Sequence, residues 1–164
     1  MKFVFWFILF VSIGFRSFSQ NYTRDAGLRF GKGFFITYRQ FYDEERAIEG
    51  IAGIARNSFR IGGFREYFKP LAPIRSQNLR MLYGYGVHAG ISYTNKYEIF
   101  NRTYYHNWLW SPQFGVDGII GAEYMASEFP FLISAALQPY FEYSLNNYFS
   151  IQPFNFIIVF KYRF

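Results

Sequence analysis

From Leu82 to Tyr93 the chain alternates with a period of two. Tyr83, Tyr85, Val87, Ala89, Ile91 and Tyr93 take the odd positions, with Gly84, Gly86, His88, Gly90 and Ser92 between them. Successive side chains of a strand point to opposite sides, so this spacing predicts a β-strand with one apolar face and one small or polar face. Phe131 to Tyr143 repeats it: Phe131, Ile133, Ala135, Leu137, Pro139, Phe141 and Tyr143 share one face. Ser134, Ala136, Gln138 and Glu142 share the other with Leu132 and Tyr140. Phe114 to Met125 sets Phe114, Val116, Ile120, Ala122 and Tyr124 against Gly115, Asp117, Gly121 and Glu123, with Ile119 the exception.

Extended to the whole chain, the pattern predicts eight strands: 25–31, 34–43, 47–56, 59–68, 82–93, 114–125, 131–143 and 153–164. Lys32-Gly33, Asp43 to Arg46, Asn57-Ser58, Ala126 to Pro130 and Ser144 to Asn147 connect them as short, turn-forming segments, as hairpins require. Residues 59–68 fit least well. Phe59, Ile61 and Tyr67 favour odd positions outward, but Phe64 and Arg65 contradict both faces. No helical periodicity longer than a turn and no domain linker interrupts the series, so one all-β domain is expected over residues 20–164. Lys69 to Met81 is a long connection for such a fold.

Composition says where the apolar face points. Of 164 residues, 23 are Phe, 15 Tyr and 3 Trp, whereas only 17% are charged. A soluble domain would need an unusually large core for so many rings, or would expose apolar patches that aggregate. Aromatic wealth excludes disorder. No run of about 20 apolar residues exists for a membrane helix. Strands of about ten residues have the length a tilted membrane strand needs, and aromatics at the ends of the apolar faces match its two interfaces. In lipid an open sheet edge would leave backbone groups unpaired, so the strands are expected to close into an antiparallel meander barrel. Without Cys there is no disulfide, thiolate metal site or lipid-attachment cysteine. The net charge of +6 is modest, and no nucleic-acid footprint is visible. At the start, Met1-Lys2, the apolar run Phe3 to Val11, and Ser17-Phe18-Ser19 have the three-part layout of a secretory signal peptide, with cleavage expected after Ser19.

The last segment places Phe154, Phe156, Ile158, Phe160, Tyr162 and Phe164 on one face, and Asn155, Lys161 and Arg163 with Ile157 and Val159 on the other. Here the chain resembles the small eight-stranded outer-membrane β-barrels of Gram-negative bacteria, typified by outer membrane protein X and the opacity proteins. Its aromatic-rich strands look most like those of uncharacterised Bacteroidetes barrels. The resemblance covers residues 20–164 as a pattern, and only the leader and terminal Phe164 are motif-like. It implies an integral outer-membrane protein in contact with lipid and lipopolysaccharide. It also implies help from periplasmic chaperones and the barrel-assembly machinery, with Phe160, Tyr162 and Phe164 as the assembly signal.

The inward face should then carry Arg29, Arg39, Arg60, Lys161 and Arg163 with Glu49, Glu66, Asp117, Glu123 and Glu142, alongside His88. An eight-stranded barrel is just wide enough for its own side chains. Buried charges are costly alone, so these are expected to pair as a polar plug. A pore would more naturally show one sign in excess. A second alternative is the lipid-A-modifying chemistry known in some eight-stranded barrels, which uses Ser, His and an acid. His88 and Ser92 share a face, but four residues along a strand separate them by about 13 Å, beyond hydrogen-bond reach. Two His and no Cys leave no metal-ligand spacing, and no cofactor is implied. The connection Thr94 to Pro112 holds Tyr97, Tyr104, Tyr105, Trp108 and Trp110, either as surface contacts on a projecting hairpin or as more of an interfacial girdle. The expected role is therefore structural or surface interaction, without catalysis.

Overall fold

A computed structural model describes residues 23–55, 57–71, 78–99, 102–127, 129–145 and 149–164, so the leader expected at residues 1–19 lies outside the described residues. Every described element is a strand: β1 (Arg24–Phe30), β2 (Gly33–Asp43), β3 (Arg46–Ala55), β4 (Ser58–Pro70), β5 (Leu79–Ile99), β6 (Arg102–Met125), β7 (Phe131–Leu137), β8 (Tyr140–Ser144), β9 (Phe149–Gln152) and β10 (Phe156–Arg163). The ten segments form eight staves. β7 and β8 lie end to end along β6, β9 continues into β10, and β10 returns to pair with β1. All pairings are antiparallel and sequential, which makes a closed eight-stranded meander barrel.

The registers give the stagger that closure requires. Following paired residues from Pro112 through Ile91, Phe59, Ile54, Phe34, Phe30, Ile158 and Ala135 leads back to β6 at Ala122, ten residues from the start. Such a shear tilts the strands by about 40° to the barrel axis. The interior is then narrow enough for side chains to fill.

Local chemistry explains the turns and the two interrupted staves. Asp43 accepts a hydrogen bond from the Glu45 amide (2.9 Å) and bends the β2–β3 connection. Asn57 adopts a φ of 55°, a left-handed conformation that Asn tolerates, and the Ser58 hydroxyl donates to the Ala55 carbonyl at 2.5 Å. Pro139 and Pro153 have no N–H to give to a ladder, and the strand breaks fall beside them. Backbone bonds bridge the gap: Gly118 N–H donates to Pro139 O and Gln138 N–H to Asn155 O, both at 2.8 Å.

Two elements differ from the sequence reading. The strands reach past the expected ends at 93 and 114, as the projecting-hairpin alternative has it: β5 runs 21 residues and β6 24, with a register shift between Thr94 and Lys96. β4 resolves the conflict at Phe64 and Arg65, because Phe64 is buried inside and Arg65 is exposed outside. The long connection shortens correspondingly, since β4 continues to Pro70 and β5 begins at Leu79. Elsewhere the charged residues turn inward, where Ile119, Leu132, Ile157 and Val159 join them, and the exposed outer face is apolar. Ile36, Ile48, Ile54, Val87, Phe114 and Phe156 are outside and more than half exposed, while charged residues such as Arg29, Glu49 and Glu123 are buried inside.

A ladder without edges opens only if many hydrogen bonds break together. Unheated protein in SDS should therefore migrate differently from boiled protein. Identical migration would contradict closure.

Candidate functional site

Arg39, pointing inward from β2, organises the end of the interior that carries the termini. Its Nε and Nη2 donate to Asp25 of β1 (2.7–3.1 Å), and its Nη1 donates to Glu66 (3.2 Å) and Glu123 (2.8 Å). The same guanidinium lies over the rings of Phe41 (4.9 Å) and Phe68 (4.8 Å). Arg80 closes this layer. Its Nε and Nη2 donate to the other oxygen of Glu123, and its Cζ sits 4.0 Å from the Phe68 centroid. Planar guanidinium groups suit such a place, since they offer several donors in one plane and stack on rings.

Lys161 of β10 links this layer to the next, lying 3.5 Å from Asp25 and hydrogen-bonded to Glu49. Glu49 also accepts from Thr37 Oγ1 (2.6 Å) and Arg29 Nη1 (3.2 Å). Arg29 Nη2 donates to Gln138 Oε1 (2.8 Å), and Gln138 Nε2 donates to Asp117 Oδ1 (2.7 Å). The other oxygen of Asp117 meets His88 Nδ1 at 2.6 Å, while His88 Nε2 meets Glu142 at 3.0 Å. Arg60 Nη2 donates to that same Glu142 oxygen (2.6 Å) and its guanidinium lies over Tyr140. One connected path of ion pairs and hydrogen bonds thus runs from Arg80, at the terminal end, to Arg60, towards the other.

Each interior carboxylate is paired. A neutral imidazole has one N–H, yet both His88 nitrogens face carboxylate oxygens, so the geometry calls for a protonated ring that donates to each. Asp25, Glu49, Glu66, Asp117, Glu123 and Glu142 then meet Arg29, Arg39, Arg60, Arg80, Lys161 and His88. Arg163 is only half-buried at the terminal mouth, with Nη1 3.1 Å from Met125 Sδ. Glycines make room for this packing. A Cβ at Gly115 would stand 2.4 Å from the His88 ring, and one at Gly86 would stand 2.5 Å from the Phe64 ring.

Sequence reasoning missed Asp25, Arg80 and Gln138 as members. Asp25 shares a parity with Arg29 inside the expected strand 25–31, so parity alone would have found it, and extending the strand at 82 back two residues would have found Arg80. Gln138 had been placed on the correct face, but its bridging position depends on which staves meet across the interior.

The structure does not bring His88 and Ser92 together. Ser92 Oγ donates to the Ser111 carbonyl (3.3 Å), whereas His88 sits opposite Gly115. Among the described residues no hydroxyl is hydrogen-bonded to His88, and no group of three His, Cys, Asp or Glu could hold a metal. At the terminal mouth a recess of about 300 Å³ is bordered by Glu44, Glu45, Phe68, Lys69, Pro70, Leu79 and Arg80.

The residues expected on a projecting hairpin or an interfacial girdle lie on the β5–β6 strands. Tyr97 pairs with Tyr104 and Lys96 with Tyr105 in the β5–β6 ladder, and the side chains of Tyr97, Tyr104 and Tyr105 lie outside the description. Trp108 and Trp110 are exposed, and Tyr93 packs against both at 4.9 and 5.0 Å. Beyond Tyr93 and Pro112 the two strands pair only with each other among the described residues, which makes a ribbon that projects roughly 20 Å. Phe160, Tyr162 and Phe164 face outward at the last stave, with Tyr162 and Phe164 stacked at 6.4 Å.

Removing Glu123 leaves Arg80 buried against rings without its carboxylate. Glu123→Ala should therefore cost about 3–5 kcal/mol, read as a lower thermal unfolding midpoint in detergent. Gly115→Ala should cost about 1–3 kcal/mol by crowding a ring held on both sides. Gly63→Ala should be nearly silent, because nothing lies within 4 Å of a Cβ there.

No family model matches the chain, and neither a curated protein nor a solved structure matches it. Its site is thus characterised by its own geometry: a barrel interior closed by paired charge, beneath a projecting ribbon with exposed rings.

Proposed function

We propose that this chain is an integral outer-membrane β-barrel whose interior is a polar plug, and that it acts as a rigid pedestal for surface contact through the β5–β6 ribbon. The observation that carries this reading is the inversion of polarity. The ionised side chains lie inside, where they share the interior with apolar residues such as Phe35, Ile51, Phe64 and Val159, while the outer wall is an apolar belt that includes Phe34, Ile36, Ile48, Val116, Ile133 and Phe160. Water would penalise that wall, and a bilayer's hydrocarbon would not. Tyr38, Tyr85, Tyr124 and Tyr162 on the outer wall, with Trp108 and Trp110 on the ribbon, are the amphipathic rings that membrane interfaces favour. The resemblance of the terminal strand and leader to the small outer-membrane barrels supports the same compartment.

The paired interior argues for a scaffold rather than a conduit, since every described carboxylate in it already has a cationic partner. The ribbon offers two backbone edges unpaired among the described residues and exposed Trp108, Leu109 and Trp110, which suits strand addition or ring contact with a partner.

Membrane fractionation of expressing cells should recover the protein with the outer membrane, and purified protein in planar bilayers should show no steady conductance. Recovery as soluble periplasmic protein would overturn the membrane reading, and steady conductance would overturn the plug. Deleting Phe164 should trap unfolded, protease-sensitive chain in the periplasm even though the purified variant refolds in detergent. Trp108→Ala should assemble normally. Normal outer-membrane levels of the deletion variant would reduce Phe164 to a packing residue.

A further inference from the structure

At the terminal end of β2 to β5 the outer wall breaks its apolar rule. Arg65 is exposed there on the lipid side of β4, in register with Ile48 on β3 and Tyr85 on β5. It makes no ion pair among the described residues. Its guanidinium stands 5.8 Å from the Tyr67 ring, with the Tyr42 side chain beside it. Tyr67 stacks on Tyr83 at 5.4 Å and 18°, and Lys69 Nζ stands 5.8 Å from the Tyr83 ring. Two cations of the same strand therefore flank one tyrosine plate. Arg46 lies opposite Tyr67 on β3, engaged with Asp43 at 3.4 Å across an exposed pair. Glu44 and Glu45 border the mouth instead, beside Phe68 and Arg80.

A cation on a lipid-facing wall is tolerated near the interface, where its counter-charge is the head group. Arg binds phosphate through parallel N–H donors, Tyr adds a hydroxyl, and tyrosine rings rest at head-group depth. We propose that Arg65 and Lys69 bind head-group phosphates of anionic phospholipids in the leaflet at the terminal end of the barrel, one cation on each side of the tyrosine plate. This rests on the membrane reading above. The site anchors the barrel at a fixed depth on that side, opposite the projecting ribbon.

The test is native mass spectrometry of the full chain in detergent micelles doped with phosphatidylglycerol or phosphatidylcholine. Wild type should retain phosphatidylglycerol in preference, and Arg65→Gln and Lys69→Gln should each lower its affinity about fivefold. Arg24→Gln, which removes another exposed rim cation, should leave it unchanged. An excess of inorganic phosphate should not displace the lipid. Equal retention of the two lipids, equal loss in Arg24→Gln, or displacement by free phosphate would overturn the site. Heat-modifiable migration of each variant shows that its barrel is intact, so loss of lipid in a folded variant counts for the proposal. Wild-type protein that stays soluble and enters no micelle would instead overturn the membrane reading.

Discussion

A guanidinium enclosed by protein has given up its water, and Arg39 replaces that water with Asp25, Glu66 and Glu123 and with the faces of Phe41 and Phe68. Those partners come from four staves, β1, β2, β4 and β6. Removing any one leaves charge uncompensated where the local dielectric is low, and the penalty falls on the partner that remains. The interior is therefore held by mutual necessity. Each buried ion is acceptable only because the barrel has closed and brought its counter-ion across.

That necessity constrains the backbone as well. A shear of ten over eight strands leaves a channel that only side chains of the right size can fill, and it is filled by alternating bulk and absence. Gly86 yields to Phe64, and Gly115 yields to His88. Pro139 and Pro153 interrupt two neighbouring staves next to Gln138 and Asn155, whose side chains are hydrogen-bonded to each other at 3.4 Å. The weakest part of the ladder is thus reinforced from inside by the amide that joins Arg29 to Asp117.

Taken with the outer belt, this arrangement separates two tasks by height. The barrel spends its interior on its own stability, whereas β5 and β6 continue past the other staves and carry backbone edges and rings into open space. The outer face adds a third feature at the opposite end, where Arg65 and Lys69 flank stacked tyrosines. These three placements are what support the proposed pedestal, with its anchored base and projecting ribbon.

Much of this was legible in the alternation. Parity alone put Arg29, Arg39, Glu49, Glu66, His88, Asp117, Glu123 and Glu142 on one face, because a strand's period of two needs no knowledge of neighbours. Parity likewise put Phe160, Tyr162 and Phe164 on the other. It faltered at Phe64 and Arg65, which violate the polarity rule while obeying the geometry, and at β5 and β6, whose ladder continues through polar residues that look like a loop. What alternation cannot carry is the identity of partners. Lys161 meets Glu49 across 112 residues of chain, and Arg29 meets Gln138 across 109. Those pairings are chosen by stagger and curvature, which are properties of the closed ring. The one-dimensional pattern determined which side chains turn inward, and only the tertiary closure decided which charge each of them neutralises.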